Sequence, residues 1–421
     1  MDNKLEKLAK ATAEECGLSN YFLKRSHIFK ESGIPGEHSY LLSTEWFPED
    51  SEPMDEELNP PGAAVIDIDI QTEKVKRIIF VQDVSFAEEG SFPNLNQKEE
   101  TITWIENITG LEFGRQFQLL PTEGTTMHFQ AAVDNIPVFP TGVINVEFNN
   151  EGQLTLFSID GNFPSEDAIH WEPFALTTDI VESVAKEQMQ LLEVPLESEE
   201  MWKSIYSATS VFLTNDVKKV ITFEEAEEQA AYVKKQIIME WEEAIKDPFS
   251  PVEIDLSLEA TEEEALSDHS TSKKELDKED EEKATLEIKR FLQRVYPDDS
   301  GKWMLHSLRL QDSYIIAELL PAERGRRVID RKLQVYLDSE TYTALNYSDF
   351  DSLIEIFEHF SPAQTPVLTK QQAFELLRKH VEVTPVYVYS QTEDKYILCG
   401  KIDCSYGVDA VSGKVIPLDQ L

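Results

Sequence analysis

The sequence predicts an α+β protein made of small tandem units, each with one helix followed by an antiparallel β-meander. Two recurring patterns carry this prediction: a hairpin pattern that occurs five times, and a stripe of helical spacing that precedes each hairpin. A long acidic stretch then separates the units into two halves. The chain has 421 residues, which is enough for two to four units that each bury an apolar interior.

The hairpin pattern alternates apolar and polar residues up to a polar turn, after which a second strand returns. In the last copy, YGVDAVSGKVIPLDQL, Tyr406 and Val408 alternate before Ser412 and Gly413, and Val415 begins the return. The same pattern predicts the other hairpins at residues 64–80, 143–159, 210–223 and 333–347.

The helical stripes place apolar residues three and four positions apart, so that they share one face of a helix. Thr369 is a candidate N-cap for the last stripe, and Pro297 ends the fourth. The five stripes cover residues 5–16, 104–111, 181–192, 288–296 and 373–381.

Two further segments complete the predicted organisation. Residues 224–249 have apolar positions that favour an extra long helix, and the acidic stretch that follows has too few large apolar residues to offset the cost of ordering. The predicted parts are residues 1–90 and 91–173 as the first two units, 174–254 as a third unit with the extra helix, 255–283 as an acidic flexible linker, and 284–421 as a C-terminal domain of two units.

The charge of the chain limits its partners. The formal net charge is −42, from 80 acidic and 38 basic residues, and such a field repels phosphate backbones and anionic lipids. We therefore expect no nucleic acid partner and no membrane insertion. The three cysteines are too few for a disulfide scaffold, and the N-terminal residues lack the apolar core of a secretory signal, so the expected location is cytoplasmic.

The common catalytic and cofactor motifs are missing from the sequence. It contains no phosphate-binding glycine loop, no helical zinc-protease pattern and no serine elbow. Cys399 and Cys404 are five residues apart, which places them on opposite faces of a regular strand, and the eight histidines form no helical pair. We expect no cofactor, no metal and no enzymatic activity.

Two pairs of carboxylates support an alternative. Asp67 and Asp69 lie two apart on a predicted strand and so share a face, and Asp349 and Asp351 form a similar pair. Such pairs can coordinate a hard cation or work as acid and base, so a cation-dependent hydrolase stays open beside the solvated sheet face that an acidic protein often presents.

One basic cluster stands out against the acidic background. The segment ERGRRVIDRK places its cationic side chains near a glycine-containing hairpin loop. We predict a docking site for an acidic partner, or for the chain's own acidic linker, with a solvated hairpin tip as the alternative. The predicted docking residues are Arg324, Arg326, Arg327 and Arg331, with Lys332 beside them.

The hairpin endings resemble a known family. The last unit, with TKQQAFELLRKH followed by KYILCGKID and YGVDAVSGKVI, looks like a PepSY-type module, and MHFQAAVDNIPVFPTGVINVEFNNEGQLTLF is similar to the propeptide modules of bacterial metalloproteases. Taken together, the chain resembles the YcdB/YcdC repeat family of bacilli. The resemblance implies PepSY/cystatin-like folds without catalytic residues, and because such proteins are often exported, it keeps the cell envelope open as a location.

The expected function follows from these observations. We expect a non-catalytic protein that binds a protein or peptide partner, through exposed sheet edges or through grooves between sheet and helix. The resemblance to propeptide modules implies an alternative role as a peptidase regulator or inhibitor.

Overall fold

The protein has an α+β fold with mostly antiparallel sheets. The computed structural model describes residues 3–32, 38–50, 58–121, 124–227, 232–256, 259–267, 276–311 and 313–421. The chain divides into two compact units. The N-terminal unit comprises Met1–Glu172, Ser257–Ser272 and Val386–Ile397, and the C-terminal unit comprises Pro173–Leu256, Lys273–Pro385 and Leu398–Leu421.

In the described part of the first 172 residues, two α-helices are each followed by strands. The elements are α1 (Asn3–Glu15), β1 (Tyr21–Ser32), β2 (His38–Pro48), β3 (Ala64–Asp69), β4 (Val75–Phe80), α2 (Lys98–Thr109), β5 (Phe117–Leu119), β6 (Thr126–Val133), β7 (Ile136–Phe139), β8 (Val143–Phe148) and β9 (Leu154–Asp160).

The middle of the chain continues with short helices between strands. Its elements are α3 (Thr178–Glu187), β10 (Met189–Leu196), β11 (Met201–Ala208), β12 (Val211–Thr214), β13 (Val220–Thr222), α4 (Phe223–Glu227), β14 (Tyr232–Ile238) and α5 (Glu262–Leu266).

The last part of the chain repeats the order of a helix followed by strands. Its elements are α6 (Lys278–Val295), β15 (Trp303–Gln311), β16 (Tyr314–Pro321), β17 (Leu333–Asp338), β18 (Ala344–Asp349), α7 (Ser352–Glu355), α8 (Lys370–Leu377), β19 (Glu382–Ser390), β20 (Lys395–Asp403), β21 (Tyr406–Asp409) and β22 (Val415–Pro417).

The N-terminal unit is one sheet covered by helices. Its strands run in the order β1-β2-β3-β4-β9-β8-β6-β7, with β5 paired to β6. Helix α1 buries Leu5, Ala9 and Ala13, which are four residues apart and so lie on one face, and α2 buries Ile105 in the same core. Helix α2 ends at Gly110, whose φ of 79° is the left-handed conformation that glycine adopts without strain.

The described residues of the C-terminal unit form two cores. In the first, α6 packs Ile288 and Phe291 against the sheet β14-β15-β16-β17-β18. In the second, α3 and α8 contribute Val181 and Phe374 to a core with β10, β11, β21 and β22. Strand β11 pairs with β21, and the next strand, β12, pairs with β20 at residues 399–402. Both strands therefore pair with segments that lie about 200 residues further along the chain.

All five predicted hairpins are confirmed, as β3–β4, β8–β9, β12–β13, β17–β18 and β21–β22. The five predicted stripes lie mainly on α1, α2, α3, α6 and α8. Within the described ranges, no helix has both the length and the apolar composition needed to cross a membrane.

The extra long helix predicted at residues 224–249 is wrong where the structure describes that segment. Helix α4 ends at Glu227, and β14 pairs with β15. The apolar residues fit two periods: Val233, Ile237 and Trp241 suit a helix, whereas Ile237, Met239 and Trp241 suit an extended chain. Pairing with β15 decides between them, and Met239 and Trp241 become buried in the α6 core.

The predicted acidic flexible linker at residues 255–283 contains regular structure. Helix α5 lies inside it, and α6 begins within it at Lys278. Residues 257–258 and 268–275 of the linker lie outside the described residues. Both helices begin with a reciprocal side-chain cap, a local source of stability that a count of large apolar residues overlooks.

Candidate functional site

Strand β1 is the edge strand of the N-terminal unit, and it is unusually basic for this protein. It is 12 residues long and pairs on one side with β2, in unbroken register from Arg25 to Ser32. Its sequence, YFLKRSHIFKES, contains Lys24, Arg25, His27 and Lys30. An edge strand of this length offers main-chain hydrogen-bonding groups on its outer side.

A piece of the chain's own acidic segment binds this outer side. Glu259 forms an antiparallel bridge with Phe29, and the Ala260 N–H donates a hydrogen bond of 2.8 Å to the carbonyl of Ile28. Five residues further on, Ala265 of α5 is only 6% exposed and packs into the core of the N-terminal unit. We call residues 259–267 the edge segment.

Helix α5 begins with a complete capping box. The hydroxyl of Thr261 accepts from the Glu264 N–H at 3.2 Å, and the Glu264 carboxylate accepts from the Thr261 N–H at 2.7 Å. These hydrogen bonds from the backbone and hydroxyl of Thr261 lower the pKa of Glu264, and the charge of Lys30 on β1 lowers it further. The edge segment therefore presents a carboxylate toward a basic strand.

A groove lies where the edge segment meets β1. It has a volume of about 280 Å³ and is open to solvent on one side. One wall consists of Ser26, His27, Ile28 and Leu42, and the other of residues 259–262. The groove places main-chain groups, apolar side chains and charges within reach of an extended peptide.

Two further sheet edges, both in the C-terminal unit, also bond to irregular segments of the chain. On β10, the Glu193 N–H donates to the carbonyl of Arg326 at 2.6 Å, and the Val328 N–H donates to the carbonyl of Glu193 at 3.0 Å. On β18, the carbonyl of Leu345 accepts from the Val252 N–H at 2.8 Å. Short main-chain pairings of this kind shield sheet edges from other strands.

The predicted basic docking cluster lies in the C-terminal unit, and its members are placed differently. Arg324 and Arg326 are exposed. The guanidinium of Arg327 lies over the ring of Trp202, 4.4 Å from its centroid, and its Nε is 3.9 Å from a Glu193 oxygen. Arg327 thus packs against Trp202 of β11 and Glu193 of β10, while its side chain remains exposed to solvent.

Arg331, the fourth predicted docking residue, is built into the fold. Its Nε and Nη2 donate to the two oxygens of Asp349, at 3.2 and 2.6 Å, and its guanidinium lies 5.1 Å from the ring centroid of Trp303. Burial raises the pKa of Asp349, but hydrogen bonds from Arg331 and Tyr296 outweigh burial and lower it overall. Asp351 also pairs with this arginine, because its Oδ2 lies 3.6 Å from Arg331 Nη2. Both carboxylates of the predicted pair are therefore engaged by Arg331.

The carboxylates of Asp67 and Asp69 are engaged separately. Asp67 is buried, and its Oδ2 lies 3.1 Å from Nη1 of Arg77; burial raises the pKa of Asp67, while Ser43 and Arg77 oppose that rise. Asp69 Oδ1 accepts from the N–H groups of Gln71 and Thr72 at the hairpin turn. One carboxylate belongs to an ion pair and the other to a turn.

The structure brings no metal site together in the residues that it describes. No group of three or more His, Cys, Asp or Glu side chains converges there. Cys399 and Cys404 are both buried free thiols, and so is Cys16, whose pKa burial raises to about 12. Among the described histidines, His306 pairs through Nε2 with Glu224 Oε1, at 2.6 Å.

Sequence reasoning did not single out the β1 edge or the edge segment. Two signals were present: basic residues concentrated in one strand of an acidic protein, and the T-x-x-E pattern at residues 261–264 that is typical of a capping box. The pairing of the two segments joins residues more than 200 positions apart, and no local pattern encodes it.

The comparisons with known proteins give one structural similarity. No protein-family model and no curated protein matches this chain. Among solved structures, the chain is similar to the Bacillus megaterium YpeB C-terminal domain, with 8% sequence identity and a TM-score of 0.26. The alignment covers 83% of this chain and 97% of that one.

Proposed function

We propose that this protein is a non-catalytic binding protein that accepts an extended segment of a partner protein along the outer edge of β1. One observation carries the proposal: the same edge already pairs with an extended stretch of the chain itself, through Glu259 and Ala260. A strand that is added to a sheet edge gains main-chain hydrogen bonds whatever its sequence, and adjacent grooves then select its side chains.

The surroundings of β1 suit this role. Ile28 and Leu42 offer apolar contact within the groove. Lys24 and Lys30 offer positive charge along the strand, whereas Arg25 is paired with Glu45. The alternative of a cation-dependent hydrolase gains no support, because Asp67 Oδ2 is paired with Arg77 and Asp69 Oδ1 with turn amides. Among the described residues, no group of three potential metal ligands converges there.

We also propose that the chain is a divergent member of the YcdB/YcdC repeat family, with tandem PepSY-like units of one helix and a meander. The order of a helix followed by strands supports this at α1, α2, α3, α6 and α8. The hairpin endings quoted from the sequence support it as well. On this view the function resides in binding surfaces, and the cytoplasm remains the proposed compartment.

A peptidase regulator is a narrower form of the same proposal. An extended segment that passes along β1 is the kind of substrate or autoinhibitory strand that a peptidase also handles. If this form is correct, the purified protein slows a metalloprotease at stoichiometric amounts. Unchanged rates across a panel of metalloproteases would leave binding without regulation.

The experiment that tests edge binding removes one outward N–H from β1. The carbonyl of Ile28 points away from β2, because it accepts from Ala260, and residues two apart on a strand point the same way, so the Ser26 N–H also points outward. Proline at such a position keeps the pairing with β2 but removes an outer donor.

We would select 12-residue peptides from a phage-displayed library on the full-length wild-type chain and measure their affinities by fluorescence anisotropy. We expect Ser26→Pro to weaken binding about tenfold, which is the loss of one well-formed hydrogen bond. Ser26→Ala is the matched control and should bind as the wild type does. If no peptide binds, or if Ser26→Pro binds as well as Ser26→Ala, binding at the β1 edge is excluded.

A further inference from the structure

The edge segment has the features of a ligand that the protein carries within its own chain. It combines a short extended stretch at Glu259 and Ala260, a capped helical turn, and one apolar contact at Ala265. The extended stretch pairs with β1, and Ala265 packs into the core beneath it. The capped turn is internal to the segment and joins these two contacts.

The charges of the two surfaces are complementary. The edge segment contains four glutamates, Glu259, Glu262, Glu263 and Glu264, whereas β1 concentrates lysine, arginine and histidine. The charge of Lys30 makes the smallest of the contributions that lower the pKa of Glu264. In a chain of net charge −42, this basic strand is an exception, and an acidic strand is the occupant that it favours.

We propose that residues 259–267 are an internal competitor for the β1 edge, and that the partner is a protein segment with the same design: a short extended stretch followed by an acidic helical turn with a small apolar residue on its inner face. This inference rests on the proposed function, and it names the partner's chemistry and its regulation. The partner gains access only when the edge segment leaves β1.

The tether sets the size of the expected effect. A segment held close to its site has an effective concentration of about 1 mM. If the edge segment itself binds β1 with a dissociation constant of about 0.1 mM, a competing peptide would lose about tenfold in apparent affinity while the segment is tethered. Releasing the segment from β1 should therefore raise the apparent affinity of the peptide by about tenfold.

The release variant is Ala265→Arg, which puts a long cation where α5 packs against the core. Leu266→Arg is the matched control: it has the same change in charge on the same helix, at a residue that is 39% exposed. Ala260→Pro is a second release variant, since it removes the N–H that donates to Ile28. Circular dichroism of each full-length variant checks that the fold is retained.

The probe is a fluorescently labelled peptide, LSLEATEEEALS, which is the sequence of residues 256–267, beside a scrambled peptide of the same composition. We expect Ala265→Arg and Ala260→Pro to bind the probe about tenfold more tightly than the wild type and Leu266→Arg do. The scrambled peptide should bind weakly to all four proteins.

The outcomes separate this inference from the proposed function. If the library peptides bind at the edge but the probe binds the wild type and both release variants equally, the internal competitor is disproved and edge binding stands. If the scrambled peptide binds as tightly as the probe, the proposed partner chemistry is disproved. If neither the library peptides nor the probe bind any variant, both proposals fail.

Discussion

One side-chain arrangement recurs at three of the described hairpin turns. At Asp69, Asp338 and Asp409, the carboxylate accepts from the N–H groups two and three residues ahead. The residue four positions ahead has a positive φ in each turn, and it is Glu73, Tyr342 and Gly413 respectively. The sequence alone indicates a left-handed residue only at Gly413, because glutamate and tyrosine rarely adopt that conformation without support.

The turn aspartate Asp338 should contribute stability that depends on pH. Hydrogen bonds from the backbone and hydroxyl of Thr341 lower the pKa of Asp338. A lowered folded-state pKa means that the stabilisation is complete above the ordinary aspartate pKa of about 3.9 and disappears as the pH falls through the lowered value. We predict that Asp338→Ala reduces the free energy of unfolding by about 1 kcal/mol at pH 7, with no difference from the wild type at the acid end.

Urea unfolding of both proteins as a function of pH checks this prediction. Glu340→Ala, an exposed position in the same turn, is the control and should be neutral. A loss of stability for Asp338→Ala that persists unchanged at the lowest pH would contradict the charge-assisted mechanism.

At the scale of elements, the spacing of apolar residues predicted the correct element where it fits one period only. It failed where the same residues fit both the period of a helix and the period of a strand. Helices such as α8 and hairpins such as β21–β22 follow from their own residues, because capping, spacing and turn chemistry all act within a few positions. Strand β14 depended on pairing with β15, some 70 residues away, and the edge segment on pairing with β1. The candidate site was missed for this reason, since it consists of two segments that meet only in the folded chain.

The N-cap of α6 offers a test at this scale. The Asp277 carboxylate accepts from the N–H groups of Glu279 and Asp280, at 2.8 and 2.9 Å. The residues that α6 buries in the core of the C-terminal unit include Phe291 and Leu292. We predict that Asp277→Ala costs about 1 kcal/mol of stability, whereas Asp277→Ser, which keeps a capping oxygen, costs much less.

Hydrogen exchange should locate the effect of Asp277→Ala in the first turn of α6, with global stability measured by urea unfolding. Equal losses for the alanine and serine variants would show that the side-chain oxygen at this position does not act as a cap.

At the scale of the whole molecule, charge is the dominant property. A net charge of −42 means that carboxylates repel one another throughout the folded chain, and salt screens this repulsion because the Debye length falls to about 8 Å at physiological ionic strength. The composition predicted this acidic surface. It did not predict that a basic strand would lie at one sheet edge, because a net charge does not say where in the fold the charged residues lie.

We predict that the thermal midpoint of unfolding rises by about 2–4 °C between 20 and 300 mM sodium chloride at pH 7.5, which corresponds to about 1 kcal/mol for units of this size. Differential scanning calorimetry measures it, and repeating the scans at pH 5, where fewer carboxylates are ionised, should shrink the rise. A midpoint that is flat or falls with salt would mean that local ion pairs outweigh the overall repulsion.

The pairing of β1 and β18 with loop segments has a practical consequence for anyone who shortens this chain. Glu259 and Ala260 pair with part of β1, and Val252 pairs with part of β18. A single deletion of residues 252–260 would therefore expose the main-chain hydrogen-bonding groups of both edge strands. Bare ladders recruit the nearest available strand, which in a concentrated preparation is another copy of the same molecule. The excised protein would then assemble into strand-joined oligomers, and its aggregation could be mistaken for a biological association.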